Sequence, residues 1–475
     1  MLIATKGGCM KRIITAVFAF VFCFGVSANA VAQTNHQNTT TQSHSVKHYG
    51  HHGSPGYAQG SQMTKDLNML SEQSAQEGLM IITPLIHEYV YEDITEIKIP
   101  ARHERRMANM FTSYYNEADD FYSNFKKGLQ EDMGFSYGFD WSLTAQRGAP
   151  GGKQTSLQTI YYPYAQLNLF NTDSLLGSAQ INFNYTLVRY WGITGNELNG
   201  RLGTVTAIND YPGRQDLFSQ LTFNHTWGGD LSWFSWAIGQ YPIYNFDGTT
   251  YNSNQQTGLI NYSMSQNATA TYPQASFGAY AEITPIKELT IAGGYQDATN
   301  VSGRIMDIDT AFDGKYTGFG SITYTPTWGL GKGQYAALVY YQPSVNEQLG
   351  NSMGWSFNME QNLSKKIVMF GRANGSTNNI SPIRNSYMLG MAFVDPLSRN
   401  PLDTITFGIG YNKMAKGDFS NVFARTGETV FEAQWVWGFS QYLTITPDLQ
   451  FYNRGALNTD DTWVSVFTLR ATVMI

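Results

Sequence analysis

The stretch FSYGFDWSLTAQ, residues 135–146, places Phe135, Tyr137, Phe139, Trp141, Leu143 and Ala145 on one parity. Ser136, Gly138, Asp140, Ser142, Thr144 and Gln146 occupy the other. Successive side chains of a strand point to opposite faces, so this segment has one apolar face and one wet face. A soluble sandwich and a membrane barrel both satisfy that pattern, and the rest of the chain decides between them.

From Gly134 onward the period of two persists. SAQINFNYTL (178–187) sets Ala179, Ile181, Phe183, Tyr185 and Leu187 against Gln180, Asn182, Asn184 and Thr186. The alternation returns in SQLTFNHTW (219–227), SFGAYAEI (276–283), LTIAGGYQ (289–296), GWSFNMEQNL (354–363) and IVMFGRAN (367–374). It continues in TITFGIGYN (404–412), VFEAQWVW (430–437) and YLTITPDLQFY (442–452), with Gly, Asn, Asp and Pro between the runs. Few interruptions are long enough for a parallel crossover, so the sheet is expected to be antiparallel. A soluble sandwich carries Lys and Glu freely on its wet face. Here charged residues make up 14% of the chain, against roughly 25% in an average soluble protein. The wet face is mostly Asn, Gln, Ser, Thr and Gly, and the apolar face ends in Tyr and Trp. That is the lipid-out, water-in alternation of an outer-membrane β-barrel with aromatic girdles. The last segment agrees, because Trp463, Phe467, Leu469, Ala471, Val473 and Ile475 share the outward parity. At roughly 20 residues per strand, residues 134–475 supply about 16 strands, with 14 to 18 acceptable, enough to enclose an aqueous channel.

The N-terminus reads as an export signal. Lys11 and Arg12 precede the apolar run IITAVFAFVFCFGV (13–26), followed by the small-residue signatures ANA (28–30) and AVA (30–32). Met1 and Met10 both fit as the start, and Ala30 and Ala32 both fit as the cleavage point. The run is shorter than the roughly 20 residues a membrane helix needs. The expected organisation is a signal peptide (1–30), a low-complexity tether rich in Gln, Ser, Thr and His (31–62), a helical extension (63–133) and the barrel (134–475). Within the extension a short helix is expected around 64–78. Met107, Met110, Phe111, Tyr114, Ala118, Phe121, Tyr122, Phe125 and Leu129 recur at three- and four-residue steps, an amphipathic helix. Its apolar stripe fits the lumen of a barrel, the space under it, or the face of another helix.

The chemistry available is narrow. Cys9 and Cys23 both lie in the leader, so the mature chain has no disulfide and no cysteine-based metal or catalytic site. Loss of Lys6, Lys11 and Arg12 with the leader moves the formal charge from -6 to -9, which argues against nucleic acid as a partner. His225 is the only histidine after His103. Its parity with Phe223 and Trp227 points it to lipid or a girdle, which argues against a Ser-His hydrolase. The cluster His44, His48, His51 and His52 has no ordered ligand spacing, and GLGKG (329–333) reads as a turn between strands rather than a phosphate loop. Glu428 and Glu432 share one strand face and read as lumen lining rather than an acid/base pair. No enzyme activity, cofactor or metal is expected.

What remains is the wet wall. Asp140, Gln180, Asn182, Asn184, Tyr280, Glu282, Glu360, Arg372, Glu432, Asp448, Gln450 and Arg470 lie on it and are the expected pore-lining, solute-contacting residues. Such groups tune what passes a channel. Sugars take bidentate polar partners and an aromatic face, the latter available from Tyr280.

Four segments carry a family likeness: 258–285, MEQNLSKKIVMFGRANG (359–375), NPLDTITFGIGYNK (400–413) and, above all, GETVFEAQWVWGFSQYLTITPDLQFYNRG (427–455). In the last, Glu428 and Glu432 precede a hairpin and a strand holding Pro447, Asp448 and Gln450. Over about residues 130–475 the chain resembles the carbohydrate-selective porins of the OprB family. The resemblance implies a 16-stranded outer-membrane channel for sugar uptake, with acidic and arginine residues near a constriction. The partners expected are small sugars, outer-membrane lipid and the barrel-assembly machinery, with homo-oligomerisation left open. The alternative is a structural or export barrel whose helical N-terminal segment contacts periplasmic or cell-wall partners.

Overall fold

A computed structural model describes residues 112–475, apart from 151–154, 254, 257, 379, 401, 417–422, 440–441 and 460–462. The leader, the tether with its histidine cluster, the helix expected at 64–78 and the start of the amphipathic helix lie outside the described residues. Helix α1 (Thr112–Met133) ends at Gly134, whose left-handed φ of 65° no β-carbon-bearing residue adopts cheaply. The strands β1 (Phe135–Ala149), β2 (Thr155–Asn171), β3 (Ser178–Gly192), β4 (Gln215–Thr226) and β5 (Phe234–Tyr241) follow. Next come β6 (Ser276–Ile286), β7 (Leu289–Asp297), β8 (Tyr316–Tyr324) and the two-residue β9 (Thr327–Trp328). The second half holds β10 (Gly331–Gln342), β11 (Ser352–Ser364), β12 (Ile367–Ser376) and β13 (Ile383–Val394). β14 (Thr404–Met414), β15 (Gly427–Gly438), β16 (Leu443–Asn453) and β17 (Val464–Met474) complete it.

Every neighbouring pair is antiparallel, and β8 pairs past β9 with β10, placing Gly320 opposite Val339. β17 pairs with β1, placing Ala471 opposite Leu143, so the sixteen strands other than β9 close into a barrel with no free edge. Closure reaches the last residue: Phe139 and Ile475 exchange backbone hydrogen bonds of 2.9 and 3.1 Å. Pro447 in β16 has no N–H, and pairing with β15 lapses there, between the pairs Gln434–Asp448 and Trp437–Ile445.

The two ends differ. Turns 287–288 and 365–366 are minimal, whereas segments 193–214 and 242–275 at the other end are the longest connections. Short turns mark the periplasmic rim and long loops the outer one, so α1, which leads directly into β1, sits on the periplasmic side. The outer wall is apolar and exposed: Ile291, Ile322, Val339, Phe357, Ile409 and Leu469 form its middle band. Trp191, Tyr341, Tyr411 and Trp463 ring it near the long loops, and Trp233 and Trp328 near the short turns. At the short-turn rim Arg399 stacks 3.8 Å above Trp437 and pairs with Asp403. His225 lies on this outward face too, packed against Trp227 at 4.7 Å and Trp236 at 5.7 Å.

The interior departs from the water-filled bore expected of the wet parity. Segments 193–214 and 242–275 fold inward, the first carrying α2 (Gly195–Leu202) and the second the single turn α3 (Tyr262–Ser265). Thr194 and Glu197 form a reciprocal capping box that starts α2. Leu198, Leu202, Ile208, Leu259 and Met264 from these loops pack with Phe370, Val430, Tyr452 and Val466 of the wall. A second inward cluster joins Tyr244, Phe246 and Tyr272 to Tyr241, Phe319 and Tyr340. Some wall positions on the wet parity, Phe370, Val430, Tyr452 and Val466 among them, are therefore apolar where loop side chains pack on them, because burial of an apolar side chain against another is favoured over contact with lumen water.

Candidate functional site

A loop inside a barrel brings backbone N–H and C=O groups away from bulk water, and each needs a partner. The wall supplies them. Glu428 accepts from the backbone N–H groups of Val205 (3.0 Å), Thr206 (2.9 Å) and Ala456 (2.8 Å), tying two loops to one carboxylate. Four residues on, Glu432 accepts from Ile260 N (2.5 Å) and Asn261 N (3.1 Å). Gln450 donates to the carbonyl of Ile208 at 2.9 Å. Arg470 donates to the carbonyls of Gly258 (3.0 Å) and Gln255. Gln146 and Gln158 hold the 193–214 loop from the opposite side of the closure, through Ile208 O at 3.1 Å and Tyr211 O at 2.8 Å.

A third anchor centres on Asp247, at the start of the 242–275 loop. Its carboxylate accepts from Asn358 (2.9 Å), Asn267 (2.8 Å) and the Tyr272 hydroxyl (2.9 Å). Arg372 donates to the Asp247 carbonyl at 3.2 Å and to Asn358 Oδ1 at 2.6 Å. Two neighbouring wall strands, β11 and β12, thus grip the loop near its start while β15–β17 grip its middle, at residues 255–261.

On the far wall the polar side chains engage each other. Register places Asn168, Gln180 and Asn224 in one row across β2–β4, with Gln166, Asn182 and Thr222 in the next. Gln166 Nε2 donates to Gln180 Oε1 (2.7 Å) and Asn168 Oδ1 (2.8 Å). Asn184 donates to Gln220 (3.0 Å), Gln220 to Thr222 (2.9 Å), Thr222 to Asn224 (2.7 Å), and Asn224 to the Tyr280 hydroxyl (3.2 Å). Asn182 also donates to Asn224, at 3.3 Å. The result is a neutral amide lattice in the periplasmic half of the barrel, made of two hydrogen-bonded groups in adjacent rows.

All twelve expected wall residues point inward and are buried from the outer surface. Gln180, Asn182, Asn184 and Tyr280 share the amide lattice; Glu432, Gln450 and Arg470 share the clamp on β15–β17; Arg372 belongs to the Asp247 anchor. Asp140, Glu282 and Glu360 stand on three separate strands, facing Tyr162, Ser235 and Gln334 in the register, and Asp448 faces Gln434 and Thr468. The ring of Tyr280 is packed by Tyr241 at 4.9 Å and Phe246 at 5.0 Å, so only its hydroxyl joins the lattice. Sequence reasoning missed Asp247, Asn358, Asn261, Gln220 and Asn224. The available signal was segment 242–275, too long for a strand turn and rich in Asn, Gln, Ser and Thr, the composition of an ordered functional loop. Among the described residues no group of three or more His, Cys, Asp or Glu is placed to hold a metal ion, and no helix is long and apolar enough to cross a membrane.

Comparison with known proteins agrees with this geometry. Residues 307–474 match the family described as carbohydrate-selective porin, OprB family. The chain is 38% identical over 319 residues to a protein of Chlamydia abortus named Porin AaxA, covering 67% of this chain and 70% of that one. The protein of the same name from Chlamydia muridarum is 35% identical over 372 residues, covering 74% and 80%. The chain belongs to the carbohydrate-selective porin (OprB) family. Its barrel superimposes on the high-pH structure of Pseudomonas putida OprB with a TM-score of 0.59 at 12% identity, covering 74% of this chain and 97% of that one. At that identity the likeness speaks for the fold. As an OprB-family porin the chain is an outer-membrane channel protein.

Proposed function

We propose that this porin carries small neutral sugars, monosaccharides in size, across the outer membrane of a Gram-negative cell into the periplasm, driven by the concentration gradient alone. The signal peptide and the barrel-assembly machinery would deliver it there. The observation that carries the reading is the amide lattice on β2–β4. Asn, Gln and Thr side chains offer donors and acceptors side by side, which suits a solute bearing hydroxyl groups on every carbon and gives no advantage to either sign of charge. The inward loops support it by narrowing a barrel that would otherwise pass solutes without discrimination.

The test is purified protein in planar bilayers and in swelling liposomes. Stable conductance reduced by millimolar glucose or arabinose, with uptake of those sugars falling as their size rises, is the expected result. Permeation ranked by positive charge rather than by size and hydroxyl content would overturn the sugar reading. Absence of any conductance would favour a structural or export barrel.

A further inference from the structure

Many of the interior polar residues divide into two groups by the partners they bond. Glu428, Glu432, Gln450 and Asn358 are 0% exposed and Arg470 is 1%, all bonded to loop segments. Gln180, Asn182, Asn184 and Asn224 retain 6%, 8%, 9% and 8%, and their hydrogen bonds run across the wall from strand to strand. Gln180 adds a second, independent sign. Its Nε2 is buried and donates to no acceptor in the protein, while its Oε1 accepts from Gln166. A buried amide donor without a partner is costly unless something arriving satisfies it.

We infer that the solute path runs along the amide lattice of β2–β4, with Gln180 and Asn182 as hydroxyl-contacting, specificity-setting residues, and that Arg372, Glu428, Glu432 and Arg470 set the bore by holding the loops rather than by touching solute. This rests on the porin reading above and sharpens it. The ligand class is a neutral polyol: its hydroxyl oxygen accepts from Gln180 Nε2 and its hydroxyl hydrogen is donated to a lattice carbonyl oxygen. The lattice suits such a ligand because its own bonds are amide to amide, weaker than charge-assisted ones, and exchange for hydroxyl bonds at little cost. The arginine and carboxylate clamps cannot exchange in that way without releasing a loop.

The decisive experiment uses the full barrel in planar bilayers. Q180L combined with N182L is expected to weaken sugar block, measured relative to that channel's own potassium chloride conductance, about five- to tenfold, the loss of one or two neutral hydrogen bonds. Unchanged sugar block in that variant overturns the inference while leaving the sugar-porin reading intact. A second measurement covers the case in which leucine disturbs folding, or wild-type channels show no sugar block at all. Because the only cysteines, Cys9 and Cys23, lie in the leader region, Asn182→Cys introduces a lone thiol into the barrel. A charged methanethiosulfonate reagent is expected to label it and to lower conductance stepwise. Asn412→Cys, at a position 0% exposed and bonded to Thr206 and Ser263, is expected to stay unreactive. An inert Asn182→Cys, or equal reaction at both positions, overturns the path.

Discussion

Replacing Glu428 by glutamine tests whether the loops are held in place by the wall. The carboxylate takes three backbone donors: Oε1 from Thr206, and Oε2 from Val205 and Ala456. Glutamine is nearly isosteric and turns its single oxygen to the Oε2 position, where it keeps Val205 and Ala456. Its NH2 group then stands where Oε1 was, so donor faces donor at Thr206. A hydrogen bond to a charged group contributes about 1.5–3 kcal/mol, so its loss makes the clamp weaker by about that much. At about 1.4 kcal/mol per factor of ten, the closed-to-released equilibrium of these loops shifts by roughly 10 to 10². The barrel itself is unaffected, since none of these bonds belongs to a strand ladder and Gln450, Gln146 and Gln158 still hold part of the 193–214 loop. Single-channel recording should show steady current in the wild type and excursions to higher conductance in E428Q, with the heat-dependent gel shift of an intact barrel retained. A steady, wild-type current in E428Q would refute the clamp.

Three further outcomes follow from particular residues. Leu469→Arg puts a guanidinium in the middle of the lipid-facing side of β17 and should lower barrel stability by about 2–4 kcal/mol, read from urea unfolding in vesicles; no loss would move Leu469 out of the membrane band. Gly354→Ala brings a β-carbon to 2.1 Å from the Tyr340 ring that lies across Gly354, so it should cost about 1–3 kcal/mol through overpacking, and a neutral result would mean that the ring swings away freely. On α1, burial holds the Lys126 ammonium down at about 8 from its ordinary 10.5, with Asp140 acting in the opposite sense. A released helix therefore binds more protons than a docked one between about pH 8 and 10.5, and docking strengthens as pH rises through that window. A spin label at Gly128→Cys, where nothing lies within 4 Å, should lose mobility from pH 8 to 10.5. Lys126→Met should abolish the change, and a pH-independent spectrum in the parent protein would exclude it.

The barrel was legible because lipid leaves an unusual mark. In FSYGFDWSLTAQ the outward residues are apolar and mostly aromatic while the inward ones, Asp140 apart, are uncharged and mostly small, a combination water on both sides would not favour. The inward loops were not legible, because nothing in a polar loop's composition says on which side of a wall it lies. Their trace was present on the wall. Val430 and Phe370 interrupt the wet parity, and such interruptions look like noise until the loop side chains Leu259, Met264 and Leu198 are seen packed with them.

The same loops alter what the charged residues mean. Counted along the sequence, the carboxylates on the wet parity suggest a lumen with an acidic field, one that would draw cations. Placed in the fold, Glu428 and Glu432 lie at 0% exposure with their oxygens facing backbone N–H groups, and Arg470 crosses to the carbonyls that lead into the same loop. A carboxylate so engaged has its negative charge answered by peptide dipoles at 2.5–3.1 Å, and Arg470 adds a buried positive charge on the same side of the barrel. The field reaching the solute path is weaker than the count of acids implies. Gln180, Asn182, Asn184 and Asn224, which line the proposed path, carry no charge, whereas the charged groups with comparable exposure, Glu282 at 6% and Asp448 at 5%, stand on other strands. On the proposed path selection would follow hydroxyl content more than charge, and it would depend on which polar groups the loops occupy more than on which polar groups the wall contains.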